Sequence, residues 1–386
     1  MPCGPGPARP REPTFRALFT APRPEPSGFA HPGPCVYTVA VEASSTQPPE
    51  PKPASHGTDE RLTDREARTI LVTGAAGFIG SHVSEALVAR GDTVIGLDNF
   101  DPYYDPAIKR RNLSDLSADD RFSLLEGDIR DPAAVEEAFT AARPVTGVIH
   151  LAARAGVRPS IEQPLDYATT NVDGTVNLLE AARRHEVARF IFGSSSSVYG
   201  AANTVPFSED QRIDRPISPY AATKVAGEAL CYTWHHLHAL PMVLLRFFTV
   251  YGPRQRPDLA ISKFAHLLEA GEPIPQFGDG SSSRDYTYVA DIARGVLAAL
   301  DSDLDFEIIN LGSSSPIRLD EMIEAVGQAV GVEPVVNVLD NQPGDVPRTY
   351  ADVGRAKRLL GWEPRWTLAE GLREFVAWRR RMSAEA

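Results

Sequence analysis

Three glycines, Gly74, Gly77 and Gly80, stand between a short apolar run, Ile70-Leu71-Val72, and a stretch with helical periodicity that ends at Gly91. That arrangement constrains the chain more than any other. Gly74 permits a tight turn out of a strand, Gly77 lets the backbone approach a pyrophosphate, and Gly80 allows helix to pack closely on strand. The helix N-terminus, entered through Phe78 and Ile79, adds N–H donors and partial positive charge suited to phosphates.

Further strand-like runs follow at Thr93 to Leu97, Phe122 to Leu125, Val148 to Leu151, Phe190 to Phe192, Met242 to Leu245 and Ile308 to Leu311, with helical patterns between most of them. Strands alternating with helices predict an α/β fold, a Rossmann-type doubly wound parallel sheet covered on both faces. From about Gly252 the pattern loosens into Gly, Pro and Ser-rich loops. A smaller mixed C-terminal substrate domain is expected there. The division predicted is a dinucleotide domain over 68–250 with a returning strand near 285–312, and a ligand domain over 251–284 and 313–382. Residues 1–67 are crowded with proline and small polar residues and show no sustained period, so a disordered tail is expected. The patch Val36 to Val41 is strand-like but isolated.

The net charge of -12 argues against a nucleic-acid binder, which needs clustered Lys and Arg. No apolar run is long enough to span a membrane. Three cysteines, Cys3, Cys35 and Cys231, suggest neither a disulfide framework nor a zinc site. A cytosolic protein without a metal is expected.

Asp98 ends the second strand, followed by Asn99. A carboxylate there can accept hydrogen bonds from both ribose hydroxyls of an adenosine and repels a 2′-phosphate, which favours NAD over NADP. A plain turn role is the competing reading. Lys109, Arg110 and Arg111 read as a solvated helix face, or at most as a weak hint of NADP. Asp128 and Ile129, after the third strand, are placed to meet the adenine, or serve as a simple loop.

Ser218-Pro219-Tyr220-Ala221-Ala222-Thr223-Lys224 opens a helix, with Ser218 suited to cap it and Pro219 to its first position. Tyr220 and Lys224, four apart, share one face. For the phenol to act as a base near neutral pH its pKa must fall by about 3 units, or about 4 kcal/mol. An ammonium about 4 Å away supplies that much at an effective dielectric of about 20. The alternative is an amphipathic helix carrying a stray Tyr and Lys. Upstream, Ser194-Ser195-Ser196-Ser197 closes the fifth strand, where open parallel sheets place their sites. A hydroxyl there can bond the reacting oxygen beside Tyr220.

Taken over residues 69–380, the chain resembles the extended short-chain dehydrogenase/reductases. Its TGAAGFIG at Thr73 to Gly80, LAA at Leu151 to Ala153, VYG at Val198 to Gly200 and SPYAATK at Ser218 to Lys224 match their general features. DNFDPYYDP at Asp98 to Pro106, RFFTVYGPRQRPD at Arg246 to Asp258, FGDGSSSRDYTYV at Phe277 to Val289 and QPGDV at Gln342 to Val346 are most similar to UDP-glucuronate 4-epimerases. The resemblance implies that Ser195, Tyr220 and Lys224 form a catalytic triad, and that Leu151, Ala152 and Ala153 join the cofactor wall with Tyr220 and Lys224. It implies a homodimer built on a four-helix bundle, from helices near Leu165 to His185 and at Tyr220.

Related 4,6-dehydratases carry Asp-Glu at the positions of Ser196 and Ser197, decarboxylases carry Glu at the position of Ser197, and galactose-type epimerases carry Asn at the position of Thr249. The hydroxyls found here point to the uronate branch. Ser196, Ser197 and Thr249 are expected to hold the sugar carboxylate, with Arg256 and Arg158 as cations. Lys263, Arg284, Gln276, Gln342 and Asp345 are nominated for UDP, while Trp362 reads as C-terminal core. A neutral hexose epimerase, a decarboxylase or dehydratase, and a non-catalytic NAD-binding protein stand as alternatives.

Overall fold

A computed structural model describes Met1 and residues 68–141, 143–201, 203–340 and 346–384. The proline-rich segment, apart from Met1, lies outside the described residues, as do Gln342 and Asp345.

Six strands occur in the first part of the chain: β1 (Thr69–Thr73), β2 (Thr93–Asp98), β3 (Phe122–Glu126), β4 (Gly147–His150), β5 (Arg189–Ser195) and β6 (Met242–Phe247). They are followed by β7 (Thr249–Tyr251), β8 (Ile274–Phe277), β9 (Ser283–Tyr288), β10 (Phe306–Leu311), β11 (Pro316–Arg318) and β12 (Val336–Leu339). The helices are α1 (Phe78–Ala89), α2 (Pro106–Asn112), α3 (Pro132–Thr140), α4 (Val157–Glu162), α5 (Pro164–Ala168) and α6 (Gly174–Arg184). Beyond them come α7 (Pro219–His238), α8 (Ala260–Glu269), α9 (Val289–Asp301), α10 (Leu319–Val330), α11 (Gly354–Leu360) and α12 (Leu368–Ala384).

The main sheet has seven parallel strands in the order β10-β6-β5-β4-β1-β2-β3. Alternation along β1 shows why both faces are covered. Ile70 and Val72 pack with Val83, Leu87, Ile292 and Val296 of α1 and α9. Leu71, between them, packs on the other face with Leu178 and Leu179 of α6. A strand buried on both sides must be continuously apolar, which is how β1 reads. The direction of winding reverses between β1 and β4, so the loops leaving those two strands diverge and open a crevice.

The C-terminal part supplies a three-stranded mixed sheet, β11-β9-β7, and a parallel pair, β12-β8. A third core lies here, with Ile261, Phe264 and Leu268 of α8 against Met322, Val326 and Phe375. Trp362 is 2% exposed and donates its indole N–H to the Asp291 carbonyl at 2.9 Å; it is a core residue, but in the main-sheet cluster of β1, α1 and α9 and not in the C-terminal core expected. No described helix is long and apolar enough to cross a membrane.

Candidate active site

A cleft of about 690 Å³ runs along the carboxyl ends of the main-sheet strands and reaches the C-terminal elements. At one end lies the glycine turn. Gly74 has φ of +70°, and its N–H donates to Leu97 O at 2.8 Å. A Cβ on Gly74 would stand 2.8 Å from Ala152 N, and one on Gly80 2.0 Å from Gly74 O. Side chains would therefore fill the space where backbone meets backbone, and the turn leaves a cradle bounded by Gly77, Phe78, Ile79 and the start of α1.

Asp98 reaches the same cleft from the end of β2. Its Oδ2 accepts from Ala76 N at 3.1 Å and its Oδ1 from Phe100 N at 2.9 Å, so the carboxylate joins the glycine turn to the loop after β2. Lys109 corrects the sequence reading. It is 8% exposed, not solvated, and its Nζ donates to Asp98 Oδ1 at 3.3 Å. The four-carbon stem carries the charge inward from α2, which spacing alone could not show. Arg110 does face outward, where it pairs with Glu126 at 3.0 Å, and Arg111 is exposed.

Asp128 and Ile129 line the cleft, and Asn99 donates to Asp128 Oδ2 at 2.8 Å. Burial works to raise the Asp128 carboxyl, but hydrogen bonds from Arg130 and Asn99 outweigh it and hold it at about 2. Leu151, Ala152 and Ala153 complete this end. A cradle free of side chains, a carboxylate at the end of β2 and apolar walls beyond it fit a dinucleotide such as NAD.

At the middle of the cleft, Ser218 caps α7 by accepting from Ala221 N at 3.1 Å, with Pro219 in the first turn. Tyr220 and Ser195 share a hydrogen bond. Burial pushes the Tyr220 phenol up, while the Ser195 hydrogen bond and the Arg256 charge pull it down. The Lys224 ammonium donates to Gly193 O at 2.7 Å. Burial draws Lys224 down to about 8.

Asn171 was missed by sequence reasoning. It sits in a π turn between α5 and α6. Its Oδ1 accepts from Arg154 N at 2.8 Å, and its Nδ2 donates to Arg154 O at 2.9 Å and Thr223 Oγ1 at 3.0 Å. It clamps the loop after β4 to the helix of Tyr220. An Asn inside a helical pattern carries no signal of this in one sequence.

Thr249, Arg256, Arg158, Lys263 and Arg284 also line the cleft. Arg256 donates to Asp258 Oδ1 and Oδ2 at 2.9 and 2.7 Å and to Ala155 O at 3.2 Å, with its guanidinium over the Tyr103 ring. Arg158 lies over the Phe277 ring, 4.9 Å from its centre.

Three nominations are corrected here. Gln276 is not part of the cleft wall: Pro275 and Phe277 line it, and Gln276 lines a shallow hollow against α10. Successive side chains of β8 face opposite ways, so naming Gln276 chose the wrong face. Ser196 and Ser197 are half-buried in a single 3-10 turn and do not line the cleft either. Ser197 instead supports Ser195, with its N–H donating to Ser195 Oγ at 3.2 Å. Tyr103, Asp258 and Phe277 are lining residues that the nominations did not include.

Comparison with known proteins agrees with this geometry. The family model described as GDP-mannose 4,6 dehydratase matches residues 71–375. A UDP-glucuronate 4-epimerase of Thermodesulfobacterium geofontis is 44% identical over 309 residues, covering 80% of this chain and 95% of that protein. The chain belongs to the extended short-chain dehydrogenase/reductase family, in its UDP-glucuronate 4-epimerase branch. Among solved structures, UDP-glucuronic acid 4-epimerase from Bacillus cereus, in complex with UDP-glucuronic acid and NAD, superposes with a TM-score of 0.77 at 36% identity. The match covers 81% of this chain and 99% of that one. A tyrosine-to-phenylalanine mutant of the same enzyme, with NAD and UDP-4-deoxy-4-fluoro-glucuronic acid, has the same TM-score and coverage. Dehydratase chemistry, suggested by the name of the family model, lacks its acids here: the two residues after Ser195 are Ser196 and Ser197.

Proposed function

We propose that this protein interconverts UDP-glucuronate and UDP-galacturonate by reversible oxidation at carbon 4 of the sugar. The observation that carries the reading is the meeting of Tyr220 and Ser195 in one cleft that is also lined by the glycine turn, Asp98, Arg256, Lys263 and Arg284. NAD, when bound, supplies a two-electron acceptor that is restored within each turnover.

The chain's own residues divide the remaining work. Gly74, Gly77, Gly80 and Asp98 hold the dinucleotide, with Asn99, Asp128 and Ile129 at its adenosine end. Tyr220 takes the proton of the sugar 4-hydroxyl and later returns one, and Ser195 orients that oxygen. Lys224, anchored on Gly193 O, places positive charge beneath the site. Arg284 and Lys263 answer the diphosphate charge, and a guanidinium suits that ligand best. Arg256 and Thr249 hold the uronate carboxylate. Such a hold keeps the carboxylate bond out of line with the ketone formed at carbon 4 and so opposes loss of carbon dioxide.

We also infer a cytosolic homodimer, in which the continuous helical rod of α5, the π turn and α6, together with α7, gives two rods from each of two copies to a four-helix bundle. Leu165 and Leu237, 79% and 64% exposed, support that face. The purified protein, given UDP-glucuronate without added cofactor, tests the reading. UDP-galacturonate as product supports it, and UDP-xylose or a 4-keto pentose refutes it.

A further inference from the structure

We propose that Glu228 is a positioning residue for the reaction assigned above: clamped by Arg246, its carboxylate holds Ser194, and through it sets the Ser195 hydroxyl in register with Tyr220. The proposal rests on the reading that Ser195 and Tyr220 handle the reacting oxygen.

Three residues at steps of four on α7 meet three consecutive residues at the end of β5. Tyr220 shares a hydrogen bond with Ser195, Lys224 donates to Gly193 O at 2.7 Å, and Ser194 Oγ donates to Glu228 Oε1 at 2.5 Å. Steps of four keep all three on one face of the helix. The helix lies close to the strand, for a Cβ on Gly227 would stand 2.5 Å from the Phe192 ring.

Glu228 is itself fixed from below. Arg246 Nε and Nη2 donate to its two oxygens at 2.9 and 2.7 Å, in the two-pronged geometry that sets orientation as well as energy. Arg246 is the register partner of Ser194 across β5 and β6. Its Nη1 donates to Tyr199 Oη at 3.0 Å, and Tyr199 donates to Asn310 Oδ1 at 2.7 Å, which carries the anchoring to β10. Glu228 and Arg246 are 4% and 2% exposed. A buried ion pair of this kind is often no more stabilising than apolar residues of the same size. Fold stability is therefore a weak reason for it, and fixing the end of β5 against α7 is a specific one.

The same carboxylate also faces Lys224. The ionisable groups that act on that ammonium or feel its charge are Glu228 and Cys231 on its own helix and His150 on β4. Burial draws Lys224 down, and Glu228 opposes the shift. Neutralising the Glu228–Arg246 pair should then move the alkaline limb of turnover to lower pH.

The test compares Ser194→Ala, Ser194→Thr and the double variant Glu228→Gln/Arg246→Gln with wild type, on whichever UDP-sugar the wild type interconverts. Choosing the substrate in that way separates failure of the uronate reading from failure of this proposal. Ser194→Ala leaves the ion pair intact, and its kcat should fall between about tenfold and about a hundredfold. Its KM should stay within about twofold and its Tm near wild type, because the loss lies in orientation and not in binding. Ser194→Thr, which keeps a hydroxyl, should recover most of the rate. The double variant should shift the alkaline limb down by about one pH unit. Wild-type kcat in Ser194→Ala overturns the proposal, as does a double variant that loses Tm while its pH limb stays in place. If the double variant does not fold, the Ser194→Ala and Ser194→Thr pair decides alone.

Discussion

Lys224 gives its ammonium to the carbonyl of Gly193, 2.7 Å away, while Tyr220 shares its hydrogen bond with Ser195. These two contacts, with Ser194 on Glu228, join helix to strand end, and the lysine serves the backbone as well as the chemistry. A buried ammonium held mainly by a neutral carbonyl pays for its position in proton affinity, and Lys224 falls to about 8.

That depression makes a signed prediction. The ordinary value is 10.5, so between about 8 and 10.5 the folded protein binds fewer protons than the unfolded chain. Stability from this group is fully present above 10.5 and is lost as pH falls through about 8. Lys224→Met removes the titration. Wild-type stability relative to Lys224→Met should rise from about pH 7 to about pH 10, by at most about 3 kcal/mol. Denaturant melts of both proteins across that range measure it, and parallel curves would contradict the assignment. Lys224→Met should also lose most turnover.

His150 predicts an acid limit. Its Nδ1 lies 2.8 Å from Thr73 Oγ1 and its Nε2 3.0 Å from Thr175 Oγ1, and burial, aided by the Lys224 charge, lowers it to about 3. A depressed folded value means stability that is present above 6.5 and lost as pH falls toward about 3. Relative to His150→Asn, which does not titrate, the wild type should lose up to about 5 kcal/mol over that window. Equal acid sensitivity in the two proteins would count against a neutral His150 beneath the site.

Asp98 and Lys109 should set the choice of dinucleotide together. Asp98→Asn removes the charge and keeps an acceptor for only one of the Ala76 and Phe100 N–H groups, leaving the buried Lys109 to meet a 2′-phosphate. The ratio of the NADP and NAD Kd values should fall about tenfold or more, or about 1.4 kcal/mol. Calorimetric titration of protein stripped of cofactor reads both constants. An unchanged ratio would mean that Asp98 serves only the turn.

The two faces of β8 should separate cleanly. Phe277→Ala should raise KM for the UDP-sugar by about tenfold, with smaller change in kcat, because it removes a wall of the cleft. Gln276→Ala, on the other face, should leave KM where it is. Steady-state kinetics of the pair suffices, and a KM effect confined to Gln276 would reverse the assignment of faces.

Much of this site was legible from residue spacing. The glycine turn, Asp98 and the Ser218-capped helix are local features, and local geometry decides what each can do. The seven strands of the main sheet could also be read, most plainly β1, β4 and β6, because strands buried on both faces are short continuous apolar runs. The C-terminal sheets were not, since β7 and β11 have three residues each and carry no pattern of their own. Contacts between distant loops were equally hidden. Nothing in the order of residues says that Lys109 turns inward to Asp98, that Asn171 reaches Arg154, or that Glu228 meets Ser194. Gln276 shows the finer limit: the strand was placed near the ligand, but a one-residue choice of face was left to the fold.

The central claim is that the hydrogen on carbon 4 leaves and returns within the site while Tyr220 handles the hydroxyl proton. Turnover of UDP-glucuronate in deuterium oxide, followed by proton NMR, tests it directly. UDP-galacturonate should keep protium at carbon 4, the same mixture should be reached from either sugar, and Tyr220→Phe should show no turnover above background. Deuterium at carbon 4, or a pentose as product, would contradict it.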